Sequence, residues 1–260
     1  MKLALIQLDV KIGEPDWNYQ HAKTLMSKAM KEKPDIVVLP EMWNTGYALE
    51  RAQELGDRNG LLTKELLSSF AKEHNVTVVG GSILNCRSHR QEVTNTMLVY
   101  NGQGEQVLEY DKIHLFRLMD EDKFLKAGNR FGLFSYQDIK IGTMICYDLR
   151  FPQLSRKLVN DGAQMLINVA QWPTARVDHW RSLLIARAIE NQCFVIAVNR
   201  CGESEGTHFP GNSMVIDPLG EILLEGSQEE DIYIIEVDLE KVKNVREHIP
   251  VITDQRLDLY

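Results

Sequence analysis

The chain has 260 residues, 44% of them apolar and 25% charged, a composition that fits a soluble globular protein long enough to bury a sizeable core. Its net charge of −8 argues against a nucleic-acid binder that works by phosphate neutralisation. No apolar stretch is long enough to span a bilayer, and Met1-Lys2 leads straight into a strand pattern rather than a signal-peptide core, so a cytoplasmic protein without membrane contacts is expected.

Residues 3–10 alternate like a strand. Ala22, Leu25, Met26, Ala29 and Met30 recur at helical spacing, with Asp16 as a candidate N-cap. Residues 36–39 predict a buried strand, Leu62, Leu66, Leu67 and Phe70 a helix, and residues 76–83 another strand. Residues 94–100 and 105–110 read as paired strands across Asn101-Gly102-Gln103-Gly104. That glycine pair is a hairpin turn and not a phosphate loop, since a third glycine and a following helix are both missing. A β-prone run carrying Ile139, Ile141, Met144 and Ile145 ends at Cys146. A helix over 150–161 follows, with Pro152 suited to its first turn. Then come a strand over 164–169, a helix over 178–192, and strands over 193–198, 213–217, 221–224 and 232–237. No linker, repeat or long charge run breaks the chain, so a single domain over 1–260 is expected. The pattern by itself supports an α/β fold with many strands.

The cysteines are Cys86, Cys146, Cys193 and Cys201, with no C-x-x-C pair and no spacing that suits a metal. Cys193 sits in an apolar run and reads as core, while Cys86 and Cys201 fall near loops and carry no assigned role. Cys146 differs because it stands at a strand-to-helix turn. Unpaired backbone N–H groups and the positive end of a helix dipole there favour the thiolate. Two further runs end on charged groups: residues 35–41 on Glu41 and residues 107–112 on Lys112. Residues at one end of a layered α/β sheet converge on one site. A carboxylate base, a cation and a thiol are the parts needed for acyl transfer through a thioester. Taken singly, each has an ordinary reading as a salt-bridged glutamate, a surface lysine or a core cysteine.

Leu39-Pro40-Glu41, Tyr110-Asp111-Lys112-Ile113-His114-Leu115-Phe116 and Ile145-Cys146-Tyr147-Asp148-Leu149-Arg150-Phe151-Pro152 resemble, in order, the three signature segments of the nitrilase superfamily of carbon–nitrogen hydrolases. The likeness runs from Leu3-Ala4-Leu5-Ile6-Gln7 to Arg256-Leu257-Asp258-Leu259-Tyr260. Ala170-Gln171-Trp172-Pro173, Asp178-His179-Trp180, the stretch 186–192 and Ile249-Pro250-Val251 look most like the ω-amidase branch, which hydrolyses the distal amide of 2-oxo acids such as 2-oxoglutaramate. The resemblance implies a four-layer α-β-β-α sandwich, a homodimer and a small-molecule amide substrate. It implies that Cys146 is the nucleophile and that Glu41 takes its proton and passes it to the departing ammonia. Lys112 and the backbone N–H of Tyr147 would face the oxyanion. Glu121, placed by its spacing to Gly128, would be a second carboxylate for the water step. The flanking Asp120 and Asp122 leave a solvated acidic loop as its other reading. This chemistry calls for neither a metal nor an organic cofactor.

The remaining polar and aromatic candidates divide between support and substrate. His114 reads as a hydrogen-bonded structural histidine. Arg150 reads as the partner of a carboxylate near the turn, holding Cys146 in place. Glu190 reads as a buried structural hydrogen bond or ion pair. Arg176 and His179 follow the strand-end segment Gln171-Trp172-Pro173 and are candidates for a substrate carboxylate. Tyr47, Trp43 and Trp172 are candidates for the pocket wall. The tail Ile249-Pro250-Val251-Ile252 looks made to pack against something. An N-carbamoyl amino-acid hydrolase or a nitrilase would use the same catalytic residues with a different pocket. A non-catalytic protein-binding scaffold is the alternative of another class, and the intact Glu41, Lys112 and Cys146 set argues against it.

Overall fold

The computed structural model describes residues 1–87 and 92–259; Tyr260, the last residue of the family likeness, lies outside them. The chain runs β1 (Lys2–Gln7), α1 (Pro15–Ala29), β2 (Ile36–Val38), α2 (Ala52–Leu55), β3 (Asp57–Arg58), α3 (Leu61–His74), β4 (Thr77–Arg87), β5 (Glu92–Tyr100), β6 (Gln106–Asp111) and α4 (Glu121–Phe124). It continues with β7 (Gly132–Tyr136), β8 (Ile139–Ile145), α5 (Pro152–Asn160), β9 (Ala163–Ala170), α6 (Val177–Asn191), β10 (Phe194–Asn199), β11 (Cys201–Ser204), β12 (Thr207–Pro210), β13 (Met214–Ile216), β14 (Ile222–Glu225), β15 (Asp231–Glu236) and α7 (Glu240–His248).

Two sheets carry the fold. One has the order β15-β1-β2-β4-β5-β6 with β3 beside β4, and the other β14-β13-β10-β9-β8-β7. Strands β1, β2 and β4 are parallel, as are β8, β9 and β10. Strand alternation explains the layering. Leu3, Leu5, Ile36 and Val38 face a core shared with Phe134, Ile141, Ile145 and Ile167 of the other sheet. Their neighbours Ala4, Ile6, Val37 and Leu39 face the opposite way, onto Ala22, Leu25 and Met26 of α1 and Leu67 and Phe70 of α3. On the far side of the second sheet, Leu166 packs with Leu154 and Leu158 of α5, and Trp180 and Leu184 of α6 form the outer layer. The result is the expected α-β-β-α sandwich. The central parallel strands are buried on both faces, which is why they read as near-continuous apolar runs.

Several local expectations change. Helix α1 starts at Pro15 with Glu14 in the cap position and no side-chain cap, so Asp16 lies in the first turn, where its charge suits the dipole. The helix expected over 150–161 is α5, Pro152–Asn160, preceded by a five-residue 3₁₀ turn, Cys146–Arg150, that the pattern does not show. Helix α7 escapes a periodicity reading because Val242 and Val245 are its buried residues among mostly charged neighbours. The polar hairpin β11–β12 and the glycine-led strand β7 escape it for similar reasons.

Two glycines bring the site segments together. Strand β4 shifts register between Val79 and Ser82, and Gly81 there has φ +60°. A Cβ on Gly81 would lie 2.0 Å from the Pro40 carbonyl oxygen, so only glycine lets β4 pass under the strand end that carries Glu41. Gly128 donates its N–H to the Lys112 carbonyl at 2.8 Å, and a Cβ there would meet the Asp111 oxygen at 2.1 Å.

Candidate active site

Glu41 follows β2, Lys112 follows β6, Cys146 follows β8 and Gln171 follows β9, so both sheets contribute strand ends to one place. The Lys112 ammonium is fully buried and donates to Glu41 Oε1 at 2.9 Å and Glu121 Oε1 at 2.7 Å. Both carboxylates are also fully buried. Glu121 is therefore no solvated acidic-loop residue, although Asp120 and Asp122 beside it are solvent-facing. Its Oε2 accepts the Phe116 N–H at 2.8 Å, and its Oε1 accepts the Tyr47 hydroxyl at 2.7 Å. Glu41 is held by four donors: Lys112, Asn95 Nδ2 at 2.8 Å, the Tyr47 hydroxyl at 3.1 Å and the Gln171 backbone N–H at 2.8 Å.

Cys146 has φ +46°, a left-handed conformation that costs a non-glycine residue about 1–2 kcal/mol. The turn is clamped in that state from below. Asp148 accepts the Ile145 N–H at 3.0 Å, the His114 N–H at 3.0 Å, His114 Nδ1 at 2.8 Å and the Tyr110 hydroxyl at 2.6 Å. Arg187, also buried, donates twice to the Leu149 carbonyl, at 2.8 and 3.1 Å, and pairs with Glu190 at 2.9 Å. Strained backbone held this way is characteristic of functional turns.

The electrostatics revise one expectation. Burial, then the charge of Glu41, push the Cys146 thiol well above its ordinary range, and Lys112 only partly opposes them. The resting group is the thiol, because the turn is too short to supply a strong dipole and the site excludes water. Burial works against the Lys112 charge, but Glu41 and Glu121 outweigh it and hold the ammonium protonated. Burial, opposed by Lys112 and reinforced by Glu41, raises Glu121 above the ordinary carboxylate range.

The pocket above Cys146 is lined by Tyr47, Phe116, Met119, Tyr147, Gln171 and Trp172, with Pro173, Arg150 and Arg176 completing it. Its free space, about 10 Å³, is room for one water molecule. The Arg150 guanidinium lies over the Trp172 ring at 4.8 Å, and that of Arg176 over Phe116 at 5.4 Å. Among the described residues neither arginine has a carboxylate partner. Arg150 thus does not hold the turn through a carboxylate; Asp148 and Arg187 do that work. His179 is exposed and meets Arg150 Nη2 at 3.2 Å, outside the pocket lining.

Other candidates settle into supporting places. Trp43 is not a pocket wall: it is buried between the first sheet and its helices, donating Nε1 to the Gly80 carbonyl at 2.7 Å. His114 is structural, bound to Asp148 and stacked on Phe151 with centroids 3.6 Å apart. Glu190 makes its ion pair but is partly exposed. Cys86, Cys193 and Cys201 are all buried. Asp148, Asn95 and Arg187 belong to the site yet received no role from sequence. Asp148, two residues after Cys146 in the signature segment, and Arg187, within the 186–192 likeness, carry a readable signal; Asn95 carries none.

The chain matches the carbon–nitrogen hydrolase family over residues 2–247. It is 44% identical over 258 residues to the 2-oxoglutaramate amidase of Bacillus subtilis, covering 99% of this chain and 98% of that one. It is 32% identical to the mouse (Mus musculus) omega-amidase NIT2, covering 100% of this chain and 96% of that protein. Its fold superposes on the crystal structure of Saccharomyces cerevisiae Nit3, a member of branch 10 of the nitrilase superfamily, with a TM-score of 0.92 at 30% identity, covering 99% and 96% of the two chains.

Proposed function

The chain belongs to the carbon–nitrogen hydrolase family and is an enzyme that cleaves the C–N bond of linear amides; on that premise we propose that its substrate is the ω-amide of a short 2-oxo acid, 2-oxoglutaramate first. The observation that carries this reading is the pair of arginines, Arg150 and Arg176, at the rim of the Cys146 pocket, which have no carboxylate partner among the described residues. A 2-oxo acid ω-amide has a carboxylate at one end and an amide at the other, so a cation set back from the nucleophile suits it. The names of the relatives from Bacillus subtilis and mouse point the same way. Trp172 and Tyr47 contribute apolar wall, and His179 acts on the carboxylate only through Arg150. Phe116, Met119 or the arginines must shift to admit the amide, since the free space of the closed pocket is no larger than one water molecule.

In this reading Glu41 removes the Cys146 proton as sulfur attacks the amide carbon. The Lys112 ammonium has two N–H bonds committed to Glu41 and Glu121 and a third available for the oxyanion. The Tyr147 N–H, in the first turn of a helix and without an intrahelical acceptor, is the second donor. Glu41 returns its proton to the nitrogen and ammonia departs. Glu121, raised above the ordinary carboxylate range chiefly by burial, is suited to accept a proton from the water that opens the thioester.

The whole chain is read as one domain because both sheets share one core and supply one site. Residence in the cytoplasm and a homodimer remain the reading of sequence and resemblance. Ile252 packs on the shared core while Ile249 is 52% exposed, which leaves apolar surface on the tail for a second copy. Among the described residues no helix is long and apolar enough to cross a membrane.

The test is ammonia release from a panel of 2-oxoglutaramate, glutamine, asparagine, a nitrile and an N-carbamoyl amino acid. The oxo-acid amide is expected to lead. Hydrolysis of the carbamoyl compound without the oxo acid would overturn the substrate and leave the catalytic set standing. Cys146→Ala is expected to abolish turnover with the fold intact, and a slow substrate should leave a mass adduct on Cys146 of the wild type.

A further inference from the structure

Gln171 binds Glu41 twice. Its backbone N–H donates to Glu41 Oε2 at 2.8 Å, and its Nε2 donates to the Glu41 and Met42 carbonyls at 2.8 and 3.3 Å. Carbonyl oxygens only accept, so these contacts fix which end of the side-chain amide is nitrogen. The other end, Oε1, is buried and among the described residues has no hydrogen-bond partner, in a residue that lines the pocket with Cys146. Buried acceptors are nearly always satisfied, and one left open at a reacting centre marks a place for a donor. Asn95 Oδ1 is unpaired too, but Asn95 is not part of the pocket lining.

We infer that Gln171 Oε1 accepts a hydrogen bond from the NH₂ group of the bound amide and so orients the leaving nitrogen. The inference rests on the amidase reading with Cys146 as nucleophile. In that step the sulfur–carbon bond forms, the thiol proton goes to Glu41, and the same proton passes to nitrogen as the carbon–nitrogen bond breaks and ammonia leaves with the bonding pair. The nitrogen lone pair must face Glu41 to receive it. Gln171 already holds Glu41 Oε2 through its backbone, so an amide N–H placed on Oε1 sets that rotation. The contact also sorts substrates. A primary amide brings the donor, whereas an ester of the same acid leaves the acceptor unpaired.

The experiment compares kcat/KM for the primary amide and for the methyl ester of the same acid in wild type and in Gln171→Met. The amide-to-ester ratio is expected to fall about tenfold or more in the variant, the size of one buried hydrogen bond. Equal losses on both substrates would mean that Gln171 only braces Glu41, and would overturn the inference. Should the variant not fold or the ester prove inert, a crystal structure of the Cys146→Ala enzyme with the amide decides. The amide nitrogen is expected within about 3.2 Å of Gln171 Oε1; a nitrogen bound elsewhere overturns it. A wild type that releases no ammonia from any primary amide would instead sink the amidase reading itself, before any variant is made.

Discussion

The Tyr110 hydroxyl donates to Asp148 Oδ2 at 2.6 Å, and both residues are buried. This bond ties the strand that leads into Lys112 to the turn that carries Cys146, so the ammonium and the thiol are registered through one short contact between the sheets. Burial and the Asp148 charge keep the Tyr110 phenol protonated and a donor. Tyr110→Phe is expected to cost about 1.5–3 kcal/mol, the range for a hydrogen bond to a charged group. Asp148→Ala strips four donors at once and should cost more, with kcat falling as the left-handed turn relaxes. Urea unfolding measures both, and an unchanged midpoint in Tyr110→Phe would remove the contact from this account.

Lys112 neutralises two carboxylates that water cannot reach. Lys112→Ala is expected to lower kcat by roughly 10²-fold or more, the scale of a lost oxyanion donor. It should also cost about 3–5 kcal/mol of stability, because Glu41 and Glu121 are left buried and unpaired. In the variant both carboxyl groups should have raised folded-state pKa values. Their contribution would then be favourable at acid pH and lost as pH rises, so the deficit measured by urea at about pH 8 should exceed that at about pH 5. Glu41→Gln keeps the shape and most hydrogen bonds but takes no proton, so its rate loss should match that of Lys112→Ala at a smaller cost in stability. A Lys112→Ala enzyme as stable as wild type at both pH values would show that the ion cluster does not form.

How much of this was legible depended on whether a residue acts locally or across the sandwich. The strand ends carrying Glu41, Lys112 and Cys146 were readable because buried strands leave apolar runs and the charged residue closes each run. Glu121 was readable only through the family spacing; its own surroundings, Asp120 and Asp122, suggest a solvated loop. The turn's own sequence points to Arg150 and not to Arg187, yet Arg187 reaches the Leu149 carbonyl from a helix 38 positions further along. No periodicity encodes such a contact. The Cys146 thiolate was expected from a helix dipole, and burial among Glu41 and Glu121 reverses it. Helix α7 and hairpin β11–β12 were missed because their apolar content is too sparse to show a period.

Buried thiols contribute to the alkaline behaviour, Cys193, Cys201 and Cys146 most and Cys86 in the same direction. Burial pushes Cys193 and Cys201 up to about 12 and carries Cys146 well above its ordinary value. A folded-state pKa above the unfolded one means that the native protein holds protons the unfolded chain releases. The associated stability is full below the unfolded thiol value, about 9, and is lost as pH rises above it. The urea midpoint is therefore expected to fall between about pH 8 and pH 10.5, and to fall less steeply in Cys193→Ala. A thiol reagent at about pH 8 should react slowly with the native protein and fully in denaturant. Rapid native labelling of Cys193 would contradict the burial on which this rests.

Arg150 and Arg176 separate the substrate reading from the catalytic one. Both guanidiniums lie on aromatic faces, Trp172 and Phe116, which leaves their N–H edges available for a carboxylate. Arg176→Ala is expected to raise KM for 2-oxoglutaramate by about tenfold or more, in line with a lost charge-assisted hydrogen bond, while a short neutral amide changes little. Arg150→Ala should act in the same direction with some loss of kcat, since Arg150 closes the 3₁₀ turn that begins at Cys146. His179→Ala removes only a neighbour of Arg150, so its effect should be the smallest of the three. Steady-state kinetics on the two substrates read the ratio directly. If Arg176→Ala weakens both substrates equally, the carboxylate does not sit on Arg176, and the pocket rim must be assigned again without disturbing Glu41, Lys112 or Cys146.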